Sequence, residues 1–263
     1  MKLRSLLALV GFSFAFALAA AQPTTALAPT QAVVVFVHGA WGGGWQFKKV
    51  APLLEARGYT VYRPTLTGLG ERVHLATADT GLATHIEDIV NLIVFENLHD
   101  VILVGHSYGG MVITGVADRI PERIARLVYL DAMLPVDGES AARLGKTGMD
   151  ALLQRAKDGF IAPWWVRPDK PFPRDVPHPV KTFTDVIALN NPAAAKIPGV
   201  YILTVDRGRR PEDDDFYSAS LRAKARGWPV FQMEADHNPE WFKPAETVEL
   251  LARVLAAEPL NGK

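Results

Sequence analysis

The segment from residue 101 to residue 110, VILVGHSYGG, constrains the fold of this chain more than any other. Four apolar residues precede a Gly-X-Ser-X-Gly pentapeptide, and a helical pattern follows it. A buried strand that turns sharply into a helix holds the central serine, Ser107, on a strained turn with its hydroxyl clear of the sheet. Gly105 and Gly109 fit such a turn because larger side chains would crowd it. We therefore predict that Ser107 is a nucleophile.

Further apolar runs predict the strands of a parallel sheet. Residues 32–37 and 101–104 are short and mostly β-branched, which is typical of strands buried on both faces. Residues 126–130 and 200–205 repeat the pattern, and residues 59–63 and 228–233 show it more weakly. Helical patterns lie between these runs, which predicts an α/β fold with a mainly parallel sheet and helices on both faces.

Four helices are predicted from the pattern of apolar residues and end signals. The first covers residues 46–57 and ends at Gly58. The second begins with a capping box formed by Thr84 and Glu87. The third runs from Ser107 to the neighbourhood of Pro121, and Pro244 opens the last.

Residues 134–198 interrupt the alternation of strands and helices. The stretch is rich in proline, contains Trp164 and Trp165, and shows no clear buried strand. Loops of more than about 15 residues are usually functional or disordered. We predict a cap, inserted before the penultimate strand, that folds over the carboxyl edge of the sheet. A disordered insertion is the alternative, although it does not suit the tryptophans.

The amino-terminal residues 1–21 have the pattern of a secretory signal peptide. Lys2 and Arg4 precede an uncharged apolar stretch that ends in three alanines at 19–21. An uncleaved membrane anchor and a later cleavage after Ala28 are the alternatives. Residues 22–31 then form a linker, residues 32–263 form one folded domain, and the expected location is periplasmic or secreted.

Composition narrows the classes of partner. The 28 Lys and Arg residues balance 28 Asp and Glu residues, and there is no cysteine. Without a basic excess we expect no nucleic-acid partner, and without a second apolar span we expect no membrane integration after signal cleavage. Disulfides and thiolate metal sites are excluded. The expected ligand is a small molecule, with no metal or organic cofactor.

A serine hydroxyl needs a base and an acid to become nucleophilic. In folds with this serine turn, the chain order is nucleophile, acid, histidine, and the histidine follows a late strand. His237 is the one histidine after residue 180. Asp206 directly follows the run 200–205 and is the preferred acid. Asp131, which follows the strand before the cap, and the acidic run 213–215 remain as alternatives.

Acyl transfer also requires two N–H donors aimed at the developing oxyanion. We predict the backbone amides of Tyr108, which follows the nucleophile, and of Ala40, which lies in the loop after the first strand; Trp41 is the alternative to Ala40. His38 and His106 are interpreted as structural histidines that brace these turns.

Large apolar side chains near these motifs are candidate walls of a substrate pocket. These are Trp41, Tyr108, Met133, Trp164 and Trp165. Each of them is equally suited to a plain core position.

At these residues the chain resembles the small α/β-hydrolases that include plant methyl-ester (methyl salicylate) esterases, hydroxynitrile lyases and their bacterial relatives. The resemblance covers residues 38–45, 52–58, the serine block, 128–132, 201–206 and 236–237. It implies an α/β-hydrolase fold with Ser107 as nucleophile, Asp206 as acid and His237 as base. It also implies an oxyanion hole formed by the amides of Ala40 and Tyr108.

Two positions separate the esterases from the lyases of this group. The lyases have a threonine where this chain has Gly39 and a lysine where it has Asn238. That lysine holds the charge of the leaving cyanide, so its absence favours hydrolysis of a carboxylic ester through an acyl-enzyme. Lactone, amide or C–C bond cleavage on the same triad, and a non-catalytic ligand-binding protein, are the alternative hypotheses.

Overall fold

The computed structural model of the chain describes residues 32–145 and 149–256. The predicted signal peptide and linker lie outside the described residues. Within these residues, the central element is a sheet of six parallel strands. They are β1 (Val33–Val37), β2 (Thr60–Tyr62), β3 (Val101–Ser107), β4 (Ile124–Ala132), β7 (Gly199–Val205) and β8 (Val230–Glu234). In the sheet they lie in the order β2-β1-β3-β4-β7-β8.

Helices cover both faces of the sheet, as predicted. They are α1 (Ala51–Glu55), α2 (Leu82–Phe95), α3 (Gly109–Arg119), α7 (Tyr217–Ala225), α8 (Pro239–Phe242) and α9 (Pro244–Ala256). Side chains alternate across each strand, so Val35 and Val37 join the apolar cluster that includes residues of α2 and α3. Val34 and Phe36 join the cluster on the other face, with α1 and α9.

The start of α2 differs from the prediction. The helix begins at Leu82, two residues before the expected cap Thr84, and Gly81 at its N-cap has no side-chain hydrogen bond. The carboxylate Oδ2 of Asp185 instead accepts a hydrogen bond from the Leu82 amide at 3.0 Å. The predicted capping box is therefore wrong, because a distant segment satisfies the first turn of this helix.

The cap region carries short elements of its own. They are α4 (Ala141–Leu144), α5 (Met149–Leu153), β5 (Phe160–Ile161), β6 (His178–Pro179) and α6 (Lys181–Thr184), and β5 and β6 pair antiparallel. Ile161, His178 and Phe183 are buried. The described part of the segment, residues 134–145 and 149–198, therefore contains buried residues that pack on the sheet domain, as a cap does.

Candidate active site

Ser107 ends β3 in left-handed backbone, with φ at +54°, immediately before α3. A turn this tight depends on glycine. A Cβ atom on Gly109 would lie 2.4 Å from the carbonyl oxygen of Val37, and one on Gly110 would lie 1.9 Å from that of Met133. The strand-to-helix turn predicted from the pentapeptide is present, and it presents the serine hydroxyl at the carboxyl edge of the sheet.

His237 lies just after β8, and its Nε2 atom is 2.9 Å from Ser107 Oγ. The ring of Phe216 stacks on the imidazole, with centroids 4.9 Å apart and planes 4° from parallel. Below it, His106 Nε2 donates to the backbone carbonyl oxygen of His237 at 2.7 Å. The contact expected between Ser107 and His237 is therefore formed, and the histidine is held on two sides.

The carboxylate beside His237 belongs to Asp131, and the expected contact with Asp206 is wrong. His237 Nδ1 donates to Asp131 Oδ2 at 2.7 Å, while Asp131 Oδ1 accepts from the backbone amide of Thr204 at 3.0 Å. Asp131 is fully buried. Asp206 lies beyond the end of β7, is exposed, and stands at the rim of the cavity.

An irregularity in β4 explains the position of Asp131. His106 pairs with Leu130 and Ser107 pairs with Ala132, so Asp131 is an extra residue between two successive pairs. It has a φ of +45°, which is rare for a residue with a side chain. Such bulges redirect a side chain out of the regular alternation. The acidic run 213–215 also lines the cavity without taking this position.

Electrostatics set His237 apart from the buried histidines. Burial lowers its pKa, but the hydrogen bond and the charge of Asp131 more than offset this, so that the pKa lies above the ordinary value. Burial alone dominates elsewhere and lowers the pKa of His38 and of His85 to about 4. His237 is consequently the imidazole best suited to accept and hold a proton.

Ala40 and Tyr108, whose amides are predicted to form an oxyanion hole, line the same cavity as Ser107. The amide of Trp41 is already engaged, because it donates to His178 Nδ1 at 3.0 Å. The hydrogen bonds of the described residues assign no acceptor to the amides of Ala40 and Tyr108. Ala40 and Tyr108 are therefore available as donors, and Trp41 is not.

His38 and His106 take bracing positions. His38 is buried, accepts a hydrogen bond from the Leu66 amide at 3.0 Å and donates to the carbonyl of Gly39 at 2.8 Å. In His106, Nε2 is hydrogen-bonded to the backbone of His237, and the other ring nitrogen, Nδ1, is 3.8 Å from Glu240 Oε1. Neither ring contacts Ser107 Oγ through a hydrogen bond in the described part of the chain.

Glu240 is an unusual buried acid under this site. It is fully buried in α8, and neither of its carboxylate oxygens has a hydrogen-bond partner among the described residues. Burial raises the pKa of Glu240 to about 8. The side chain is therefore an uncharged carboxylic acid at neutral pH, which is the form that tolerates such surroundings.

A cavity of about 1220 Å³ opens over Ser107 and His237. Trp41, Tyr108 and Met133 line it, as expected for these three candidates. One side is apolar and includes Leu134, Leu152 and Phe183 of the cap and its approach. The other side is charged and is formed by the segment that follows β7, residues 206–215.

Trp164 and Trp165 do not line this cavity, so the prediction that they form its walls is wrong. Both are about half exposed. Trp165 packs edge-on against Trp41, with centroids 4.9 Å apart, and its Nε1 donates to Asp175. Trp164 packs on Trp165 and under the guanidinium of Arg155. Trp165 thus packs against Trp41, and Trp164 packs against Trp165, outside the lining of this cavity.

Sequence reasoning missed three residues of this site. His178 and Glu240 gave no signal, because neither belongs to a motif. Phe216 follows the acidic run at 213–215, and that run drew attention to charge alone. Asp131 is one of the alternative acids that the sequence offers, and its signal is its place directly after the apolar run 126–130.

Comparisons with known proteins agree with this geometry. Residues 34–250 match the model of the alpha/beta hydrolase family. The chain belongs to this family. This match confirms the resemblance to the α/β-hydrolases and the predicted α/β-hydrolase fold class. In the described part of this hydrolase there is no cluster of side chains suited to a metal ion, and no helix with the length and apolarity to span a membrane.

Relatives of this hydrolase are named as esterases. It is 39% identical to a carbendazim-hydrolysing esterase of Nocardioides sp. over 241 residues, which cover 83% of this chain and 97% of the relative. It is 28% identical to methylesterase MES16 of Arabidopsis thaliana, over 84% of this chain and 94% of the relative.

Solved structures show the same architecture. An extracellular α/β-hydrolase from a Paenibacillus species superposes with a TM-score of 0.71 at 23% identity, over 84% of this chain and 98% of the other. The crystal structure of the Arabidopsis methylesterase MES16 gives a TM-score of 0.67 at 25% identity, over 86% of this chain and 99% of the other.

Proposed function

We propose that the protein is a serine esterase that cleaves carboxylic esters through an acyl-enzyme, with Ser107, His237 and Asp131 as its triad. The observation that carries this proposal is the unbroken line of two hydrogen bonds, Ser107 Oγ to His237 Nε2 at 2.9 Å and His237 Nδ1 to Asp131 Oδ2 at 2.7 Å. Relatives named as esterases support the reaction class.

The first half of the reaction forms the acyl-enzyme. His237 takes the hydroxyl proton of Ser107 as Oγ attacks the ester carbonyl. The amides of Ala40 and Tyr108 donate to the oxyanion, and Asp131 stabilises the imidazolium. His237 then gives the proton to the leaving alcohol, and the C–O bond to that alcohol breaks.

The second half releases the acid. Water enters the place of the alcohol and loses a proton to His237 as it attacks the acyl carbon. Collapse of this second tetrahedral intermediate returns the proton to Ser107 Oγ. No metal or organic cofactor takes part in these steps.

Two positions favour hydrolysis over hydroxynitrile cleavage. Asn238 provides no cation for a leaving cyanide. A Cβ on Gly39 would lie 3.0 Å from Ser107 Cβ and from His106 Nδ1, so a threonine there would be crowded. We expect no cyanide release from mandelonitrile, and release at rates similar to ester hydrolysis would favour the lyase.

The test of the proposed function combines labelling and turnover. Wild-type protein should react with a fluorophosphonate probe and hydrolyse p-nitrophenyl acetate, and Ser107→Ala should lose both. A panel of p-nitrophenyl esters of increasing chain length, aryl methyl esters and carbendazim would then define the substrate class. A wild-type protein that neither labels nor hydrolyses any of them would contradict the proposal and favour a binding protein.

We also propose that the protein is exported, to the periplasm or the medium, after removal of residues 1–21. The charged and apolar pattern of these residues supports this. Amino-terminal sequencing of the protein from fractionated cells should find Gln22 as the first residue. A cytosolic protein that retains Met1 would contradict it.

A further inference from the structure

Trp41 lies in the loop that would form the oxyanion hole. It follows Ala40 directly and has left-handed backbone, with φ at +61°. A bulky residue in this conformation persists when its surroundings hold it there. The contacts of Trp41 therefore indicate what determines the shape of this loop.

In the part of the chain that the structure describes, three hydrogen bonds hold Trp41, and all three come from the cap region. Its amide donates to His178 Nδ1 at 3.0 Å, and its carbonyl accepts from the amide of Val176 at 2.9 Å. Its indole Nε1 donates to the carbonyl of Ile161 at 2.9 Å. The cap region thus binds both the N–H and the C=O group of Trp41, and these contacts fix the backbone of the loop on both sides of this residue.

The tautomer of His178 is determined by a second contact. Thr182 Oγ1 donates to the carbonyl of Pro179 at 2.7 Å, so it must accept the hydrogen bond from His178 Nε2, also at 2.7 Å. Nε2 therefore carries the proton, and Nδ1 is left as an acceptor for Trp41. His178 is fully buried, and burial keeps its pKa well below the ordinary value.

The ring of His178 also packs against the ring of Tyr108, the residue whose amide is the second predicted oxyanion donor. The centroids of His178 and Tyr108 are 5.3 Å apart, and Phe183 contacts the rings of both Tyr108 and Trp41. By taking the Trp41 amide, His178 fixes the plane of the peptide that follows Ala40. The amide of Ala40 then remains the free donor on this side of Ser107.

We propose that His178 is a positioning residue, by which the cap sets the oxyanion hole. His178 is not among the residues that line the cavity over Ser107, and it acts through the backbone of Trp41. The inference rests on the proposed function, because it assigns a role within acyl transfer. It predicts that loss of the acceptor at residue 178 weakens stabilisation of the transition state more than binding of the ester.

Two substitutions separate the acceptor from the ring. His178→Phe keeps an aromatic ring and removes the acceptor, so the amide of Trp41 is left unpaired. His178→Asn keeps an acceptor close to the position of Nδ1. We expect His178→Phe to lower kcat for a p-nitrophenyl ester about 10- to 100-fold with little change in KM, and His178→Asn to recover most of the loss.

A transition-state analogue supplies a readout that a purely structural role would not move. An aryl trifluoromethyl ketone forms a tetrahedral adduct with the serine, so its inhibition constant should rise in His178→Phe by the same factor as kcat falls. Circular dichroism and thermal melting would show that each variant is folded.

A second pair of variants covers the case in which His178→Phe does not fold. Thr182→Val removes the partner that fixes the tautomer and should lower kcat by a smaller factor. Thr184→Val is the matched control, because its exposed hydroxyl donates, among the described residues, to the carbonyl of Lys181 in the same short helix and to no other group. It should leave kcat unchanged.

The outcomes distinguish the inference from the proposed function. If the wild-type protein neither labels nor hydrolyses esters, the proposed function fails. If the wild type is active and folded His178→Phe retains its kcat, the inference is wrong. It is also wrong if His178→Asn is as impaired as His178→Phe, or if Thr182→Val behaves like Thr184→Val.

Discussion

The carboxylate of Asp131 is held on both oxygens, by His237 on one and by the Thr204 amide on the other. Its side chain cannot rotate away without losing a buried hydrogen bond. An acid held in this way fixes the imidazole with Nδ1 protonated and leaves Nε2 to accept the proton of Ser107.

Replacement of this acid should therefore impair the chemical step. We expect Asp131→Asn to lower kcat by about 10³–10⁴, because an amide can present an N–H to Nδ1 and favour the wrong tautomer. Asp206→Asn is the matched control and should keep a kcat of the same order as the wild type. Ester hydrolysis under saturating substrate measures both. The reverse result would restore Asp206 as the acid.

The same substitution should move the pH dependence. His237 must be neutral to act as a base, so activity rises with pH through its pKa, which Asp131 holds above the ordinary value. Without that negative charge the pKa falls, and the acidic limb of the residual kcat/KM profile should shift to lower pH. A limb that stays in place would show that Asp131 does not control this imidazole.

At the scale of secondary structure elements, the sequence predicted the six strands of the main sheet well. Their apolar runs are short, β-branched and bounded by turn signals. It did not predict the bulge in β4, because residues 128–132, VYLDA, have the pattern of a continuous strand. The preference for Asp206 has a different basis: the expected chain order and the family resemblance both place the acid after the penultimate strand.

Contacts between distant segments account for the other differences. Asp185, which lies in the cap region, accepts the hydrogen bond at the start of α2. The sequence near Thr84 does not reveal this distant partner, so it predicts a local capping box that does not form. Trp165 packs against Trp41, and Trp164 packs against Trp165. The sequence around residues 164 and 165 does not indicate whether these side chains line the cavity. Local sequence patterns predict helices and strands, whereas the hydrogen bond at the start of α2 and the packing of the two tryptophans depend on contacts between distant segments.

The start of α3 gives a prediction about packing. A Cβ on Gly110 would lie 1.9 Å from a backbone oxygen of Met133, which cannot move without shifting the end of β4. Gly110→Ala should lower the free energy of unfolding by about 1–3 kcal/mol or more, as measured by urea denaturation.

Gly115→Ala in the same helix is the matched control. Its Cβ would meet the end of the Ile86 side chain at 2.2 Å, which can turn to another rotamer. The gain in helix propensity, about 1 kcal/mol, offsets part of this cost. Equal destabilisation by the two substitutions would contradict the argument from backbone contact.

At the scale of the whole molecule, the buried acid Glu240 links stability to pH. Its pKa is raised from 4.5 in an unfolded chain to about 8 in the fold. Between these values the unfolded chain releases the proton and the folded protein keeps it. Stability from this group is therefore fully present below pH 4.5 and is lost as pH rises to about 8.

We expect Glu240→Met to remove this dependence. Relative to the variant, the wild-type protein should lose at most about 1.4 kcal/mol of unfolding free energy per pH unit in this window. Urea denaturation at several pH values measures the difference. The control variant Glu246→Gln changes an exposed carboxyl of α9. Its unfolding free energy should change with pH in the same way as that of the wild type. A constant difference between wild type and Glu240→Met across the window would show that Glu240 is already ionised.

The location of Asp131 on β4 has a consequence for how this protein can diversify. Ser107 and Asp131, the proposed nucleophile and acid, lie on neighbouring strands of the central sheet, and the connection between β7 and α7 carries no residue of the proposed triad. We expect the connection at residues 206–213 to tolerate changes in length and charge while its residues still line the cavity over Ser107. A combinatorial library confined to that connection would explore new specificities on an unaltered reaction centre.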